Sequence, residues 1–442
     1  LACRRGSFGG FEDCGLGKTA QQLECAAQFV KRTGKRVLIL CPLAVAQQTI
    51  REAEKFAIDV ACKVVKSSGE CESGISITNY ERLHSFDPAE FDGVIVDEGS
   101  ILKSVDGKYR TQILESFQHC AFKQTWTATP APNDHMEIGN QAEFVGTMKR
   151  SEMLSTYFVH DGGDTSKWRL KGHAKTRFWE WMASWAVCVR KPSDLGYVDN
   201  GFVLPDLHYI HHEIGGGGVG RYLFDMPATT LDERRQAKKD TIDLRCQHVA
   251  NMVNASKDCW VIWCNYNDEG ELLDKLIPDA VEVAGRHSTD AKEEMLTDFT
   301  RGKVRVLITK PKIGGFGLNW QHCHNTAIFP TDSWEQWYQM IRRFYRFGQK
   351  HAVNVHAVYS TGESAIVSNL ERKEADSHEL FEAMAVHMSE LSKAAIRGVQ
   401  PNITHYHADK QMEIPAWLQQ KRSVSTNNAA RSGRCSTATA AK

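Results

Sequence analysis

At 442 residues, 42% of them hydrophobic, the chain is long enough for two domains with cores of their own. Lysine and arginine number 54 and so do aspartate and glutamate, and the resulting net charge of zero excludes a uniformly basic nucleic-acid coat. No apolar run approaches membrane-spanning length and no basic-then-apolar leader opens the chain, so neither membrane insertion nor export is expected and the cytoplasm is the expected location.

The chain begins at Leu1, and only seventeen residues precede Lys18. Residues 4–11 carry three glycines and promise a poor strand. Gly15-Leu-Gly17-Lys18-Thr19 then forms a glycine-rich turn of the kind whose backbone N–H groups converge on phosphate oxygens. In such a turn Lys18 reaches the β- and γ-phosphates of ATP and the Thr19 hydroxyl binds Mg²⁺. Glu12 stands where the generic spacing wants a glycine. Residues 37–40, 75–78, 94–96 and 124–128 are predicted to be short buried strands, and residues 20–32 and 45–56 have helical spacing. That alternation predicts an α/β domain over 1–149, with a parallel sheet covered by helices. At the carboxyl end of the 94–96 strand stand Asp97 and Glu98, where such sheets present ligand-binding groups. Asp97 is a candidate Mg²⁺ ligand and Glu98 a candidate base for an attacking water.

Residues 150–230 break the alternation and are expected to form a helical accessory or connector segment. Trp181 and Trp185, four apart, fit one face of a packed helix. Trp168 lies in a stretch, 165–177, with five basic residues and no acidic one, and is the better candidate to stack on a nucleic-acid base. The glycines at 215–218 suggest a flexible connector.

Residues 260–264, 281–283, 304–309, 326–329 and 353–358 predict a second parallel sheet over 231–390. Residues 301–350 hold nine basic and two acidic residues, a localised positive region. Ser333 and Gln336 predict a capping box. At 100° per residue the following helix sets Glu335, Gln336, Gln339, Arg342, Arg343 and Arg346 on one face, opposite an aromatic face. Gln339, Arg343 and Arg346 would then point in a row at a γ-phosphate, where arginine stabilises charge developing in phosphoryl transfer. The His322-Cys323-His324 run reads as structural, since adjacent side chains seldom converge on one ion. A C-terminal extension over 391–442 is predicted to end in a disordered polar tail.

Taken together these segments resemble the superfamily-two helicases and translocases, in particular the Swi/Snf-type branch and related phage helicases. The resemblance extends over about residues 11 to 360. It adds Leu40-Cys-Pro-Leu43, Ile77-Thr-Asn-Tyr-Glu-Arg-Leu83 and Thr127-Ala-Thr-Pro-Ala-Pro-Asn-Asp134 in the first half. In the second half it adds Val261-Ile-Trp-Cys-Asn265, the run from Thr309 to Trp320 and the run from Gln339 to Gln349. Two departures accompany it. The glutamine motif that family members carry upstream has no room here, so a truncated reading frame is expected; and the second motif reads Asp97-Glu98-Gly99-Ser100, which disfavours an RNA-unwinding role.

The resemblance implies two RecA-like domains in tandem with ATP and Mg²⁺ between them, Thr127 and Thr129 relaying nucleotide state, and Thr309, Lys310, Gly315 and Asn319 contacting a nucleic-acid backbone. It implies ATP-driven movement on, or unwinding of, DNA, duplex or single-stranded, with protein partners in replication, recombination or modification. The alternatives are a nucleic-acid-binding module with an impaired ATPase and the motor subunit of a restriction or modification complex.

Overall fold

The computed structural model describes residues 1–42, 45–132, 134–161, 164–215, 231–315 and 317–398. The first sheet contains β1 (Phe8–Glu12), β2 (Val37–Cys41), β3 (Cys62–Val64), β4 (Ile75–Asn79), β5 (Gly93–Asp97), β6 (Phe122–Thr127) and β9 (Ala186–Val189), in the order β3-β4-β2-β5-β6-β1-β9. Every pairing in it is parallel. Between β6 and β9 in sequence, β7 (Phe158–Asp161) and β8 (Asp164–Leu170) form a separate antiparallel hairpin. The second sheet contains β10 (Leu207–Ile214), β11 (Trp260–Trp263), β12 (Ala280–Val283), β13 (Val306–Thr309), β14 (Asn325–Ile328) and β15 (Val353–Ser360). Its order is β10-β15-β14-β11-β13-β12, again parallel throughout. Two parallel α/β domains therefore stand in tandem, as the alternation of elements predicts.

Both faces of each sheet are covered. In β11, Val261 and Trp263 enter one apolar core while Trp260 and Ile262 enter another on the opposite face, the period-two consequence of a strand buried on both sides. A strand of that kind reads as a continuous apolar run, which is why the central strands are legible in the sequence.

The glycine-rich stretch at the start is the main correction. Phe8–Glu12 is a fully buried strand lying between β6 and β9. Its glycines are what the packing requires. A Cβ on Gly9 would stand 2.7 Å from the Trp185 ring, and one on Gly10 would stand 2.1 Å from the Trp126 ring. Two indoles thus occupy the space that side chains would take, and the loss of intrinsic strand preference is offset by aromatic burial.

The described part of the expected connector over 150–230, up to residue 215, is divided between the two domains. The helix Lys175–Trp185 buries Phe178, Trp179, Trp181 and Trp185, and β9 extends the first sheet through Gly9↔Ala186 and Phe11↔Cys188. β10 joins the edge of the second sheet beside β15. Of the glycine run, only Gly215 is among the described residues, and the tail from 399 onward lies outside them.

The helix Ser364–Ile396 begins in the second domain, where Ile366, Val367 and Leu370 enter its core. It ends against the first, where His387 stacks on Trp179 at 5.8 Å between ring centroids. The second-domain boundary expected at 390 therefore falls within a helix that straddles both domains.

Candidate active site

β1 delivers the chain into the turn at 13–17, and the helix Lys18–Thr33 follows. Gly15 (φ +93°) and Gly17 (φ +86°) adopt left-handed backbone, a conformation costly for other residues. A Cβ on Gly17 would meet nothing within 4 Å. The Lys18 ammonium donates to the carbonyls of Glu12 (2.8 Å) and Asp13 (3.1 Å), which hold it over the turn. Thr19 follows in the first turn of the helix.

Glu12, in the place of the missing glycine, is buried and accepts from the Gln21 amide at 2.8 Å. Burial pushes its carboxyl up to about 7, against the pull of Lys18 and Gln21.

Asp97 closes β5. Its carboxylate accepts from the Gln22 amide, one turn past Lys18 on the same helix, at 2.7 Å, and its backbone carbonyl accepts from the Tyr80 hydroxyl. Burial is the main influence raising the Asp97 carboxyl, opposed by Gln22, Lys18 and Arg343. Glu98 adopts left-handed backbone at φ +55°, unusual outside glycine and concentrated at functional sites. Its Oε2 is buried with no hydrogen-bond partner among the described residues. Burial lifts the Glu98 carboxyl to about 7, with Asp97 adding to the effect and Lys18 and Arg343 opposing it. A desolvated carboxyl raised to about 7 has the proton affinity a general base needs near neutral pH.

The second domain supplies the opposite wall. The Ser333 hydroxyl caps the helix Trp334–Ile341 by accepting from the Gln336 N–H at 3.4 Å, while the Gln336 side chain accepts from Thr331; the predicted capping box is thus half formed. The helix ends at Ile341, so the single face predicted through Arg346 is broken. Arg342 ion-pairs with Asp13 at 3.3 Å and lies over the rings of Tyr338 and Tyr345. Arg343 is fixed within its own domain, its guanidinium donating to the Gln339 carbonyl (2.9 Å), the Gln339 side-chain oxygen (2.8 Å) and the Leu318 carbonyl (3.1 Å). From there its charge acts on both Asp97 and Glu98. Burial, with Arg343 adding to it, lowers the Arg346 guanidinium against the opposing charges of Glu52 and Glu98, and its Nε is buried without a partner among the described residues. The arginines are carried on a tightened turn, with Arg343 N bonded to the Met340 carbonyl and Phe344 N to that of Ile341, rather than on helical spacing.

The domains touch at several further points. The Tyr338 hydroxyl donates to Asp13 at 3.0 Å, and Lys103 pairs with Glu335. A Cβ on Gly15 would stand 3.2 Å from the Phe347 amide nitrogen, and one on Gly317 would stand 1.9 Å from a methyl of Val45. Asp13, Gln22 and Lys103 were not singled out in the sequence. Gln22 had a signal, since it follows Lys18 at i+4, but the other two depend on the opposite domain.

The remaining candidates are spread more widely. Thr127 is buried and its hydroxyl accepts from the Thr129 N–H at 3.0 Å, while the Thr129 hydroxyl is buried without a partner among the described residues. Thr309 is buried and donates to the Val283 carbonyl at 3.2 Å, a bond inside the sheet. Lys310 donates to Asn267 at 2.5 Å, and Asn319 donates to Gln321 at 3.3 Å. A Cβ on Gly315 would lie 2.2 Å from the Pro311 carbonyl oxygen, so this glycine serves the chain's own turn. Trp168 stands on the β7–β8 hairpin opposite His160, the ring centroids 3.7 Å apart.

The chain matches no protein-family model. It is similar to protein p41 of Acyrthosiphon pisum secondary endosymbiont phage 1, at 26% identity over 454 residues, covering 84% of this chain and 93% of that protein. Among solved structures it is similar to the Sulfolobus solfataricus SWI2/SNF2 ATPase core in complex with dsDNA, at 18% identity and a TM-score of 0.39, covering 89% of this chain and 92% of the other.

Proposed function

We propose that this chain is a DNA-dependent ATPase that uses hydrolysis to translocate on DNA or unwind it. The observation that carries the reading is the Asp13–Arg342 ion pair at 3.3 Å, which brings the turn before Lys18, whose helix also holds Asp97 through Gln22, up to the segment carrying Arg343 and Arg346.

On this reading the 13–17 turn and Lys18 would cradle the triphosphate, and Thr19 and Asp97 would hold Mg²⁺. The ion would neutralise phosphate charge as the bond breaks. Glu98 accepts the proton of the attacking water. Arg343 and Arg346 stabilise the charge that develops on the transferred group. A nucleotide touching both domains favours their closed arrangement through its differential affinity, and loss of the γ-phosphate weakens that preference. Thr127 and Thr129, next in the sheet to the turn, would pass the change on. Lys310, Asn319 and Trp168 would meet DNA, with Trp168 stacking on a base.

The test is ATP hydrolysis by the chain alone and with duplex DNA, single-stranded DNA or RNA, beside Glu98→Gln. DNA-stimulated hydrolysis that the variant abolishes supports the reading. Absence of hydrolysis with every polymer, from folded protein, overturns it.

A further inference from the structure

The turn carrying Glu98 is held from outside by two neighbouring amides. After Glu98 the chain makes a single tight turn, Gly99–Leu102, capped by Lys103. Gln141, on the helix Ile138–Val145, donates to the Gly99 carbonyl at 3.1 Å and to the Pro130 carbonyl at 3.4 Å, and its oxygen accepts from the Thr125 hydroxyl. Asn140 donates to the Lys103 carbonyl at 2.8 Å. Both side chains are fully buried. Between them they grip the turn at each end and tie it to the loop after β6.

Gly99 belongs to the same device. A Cβ there would stand 2.0 Å from the Thr125 hydroxyl and 2.9 Å from the Gln141 side-chain oxygen, so the missing side chain leaves room for this pairing. Lys103, the residue at the far end of the turn, pairs with Glu335 of the second domain. The backbone bearing Glu98 is thus joined through one short turn to a contact that exists only when the domains meet.

We propose that Gln141 and Asn140 are positioning residues that hold Glu98 in its left-handed conformation and make its placement depend on the Lys103–Glu335 contact between the domains. The inference rests on the hydrolytic role proposed for Glu98. Gln141 acts through the backbone that follows Glu98, by its bond to the Gly99 carbonyl. Its two N–H donors face two carbonyl oxygens, so Gln141→Glu keeps the volume but sets a carboxylate against them, and Gln141→Met keeps the approximate shape without either donor.

The experiment combines two readouts on the full chain. Amide hydrogen exchange over residues 98–103 reads the clamp whether or not the protein hydrolyses ATP. Steady-state kinetics reads its consequence. In Gln141→Met, exchange over 98–103 is expected to rise, kcat to fall by about 10- to 100-fold and KM for ATP to stay within about threefold, because a misplaced base costs chemistry rather than binding. Asn140→Ala, which cuts only the bond to Lys103, gives a second variant with the same direction should Gln141→Met fold poorly. Unchanged protection in both variants overturns the clamp, and lost protection with unchanged kcat overturns the positioning role. If the unaltered chain hydrolyses no ATP, the proposed function falls, and the exchange measurement still decides whether the amides hold the turn.

Discussion

Asp13 and Arg342 lie on different domains, yet their side chains form an ion pair at 3.3 Å with little of either exposed. Asp13 is in the turn that leads to Lys18, and Arg342 adjoins Arg343. The contact therefore joins the glycine-rich turn before Lys18 to the segment that carries Arg343.

A pair this shielded is expected to behave as a unit. Removing one partner leaves a buried charge, which costs about 3 to 5 kcal/mol in comparable settings, whereas removing both relieves that penalty. Asp13→Ala and Arg342→Ala should each weaken thermal stability and ATP turnover more than the double variant predicts by addition. A double-mutant cycle by chemical denaturation is expected to give a coupling of about 1 kcal/mol or more, and simple additivity would show that the pair does not bridge the domains in solution.

Hydrolysis should require Glu98 ionised. With its carboxyl raised to about 7, activity is expected to climb through the region around pH 7 rather than near pH 4 to 5. Stability runs the other way. A carboxyl whose folded pKa lies above its unfolded value stabilises the fold at low pH, and that contribution is lost as pH rises from about 4.5 to about 7. Glu98→Gln should therefore be catalytically dead yet more stable than the unaltered chain at pH 8, by on the order of 1 to 3 kcal/mol, with little difference at pH 5. Denaturant unfolding at the two pH values checks the sign.

Gly10 is expected to tolerate no side chain. With Trp126 2.1 Å from its hypothetical Cβ, Gly10→Ala must displace an indole that is 1% exposed. A loss of about 1 to 3 kcal/mol is expected, and more for Gly10→Val. Thermal melts that show no change would mean that Phe8–Glu12 is not inserted between β6 and β9.

Three histidines on the second domain predict an acid-sensitive packing. His248 meets His212 at 3.0 Å, His212 meets His356 at 2.9 Å, and the His356 ring lies beside Trp260. Burial, followed by the neighbouring His212 and His248, lowers the His356 imidazole to about 4, and burial lowers His212 as well. A histidine lowered in the fold favours folding above its unfolded pKa, near 6.5, and that contribution is lost as pH falls toward 4. The melting temperature should drop between pH 7 and pH 5, and His356→Gln should flatten that drop. Equal slopes in the two proteins would exclude the trio as its source.

Much of the candidate site is legible in the sequence because its residues follow buried parallel strands. Strands such as Val37–Cys41 and Gly93–Asp97 are apolar on both faces, so they stand out as runs, and the residues after them, Asp97 and Glu98 among them, fall at a sheet's carboxyl edge. Phe8–Glu12 was hidden because its apolar partners are Trp126 and Trp185, which are distant in sequence. The arginines were legible as residue types but not as a helical row. Where the helix stops at Ile341 is decided by Arg343 turning back onto the Gln339 and Leu318 carbonyls.

By itself the sequence determined the two parallel α/β domains, the glycine-rich turn with Lys18 and Thr19, and the carboxylates Asp97 and Glu98, because each depends on local spacing and on burial along a single strand. Only the tertiary structure decided that Asp13 meets Arg342, that Gln141 grips the turn after Glu98 and that Lys103 reaches Glu335. These contacts join segments up to hundreds of residues apart, and the directions of their side chains are set by how separate elements pack.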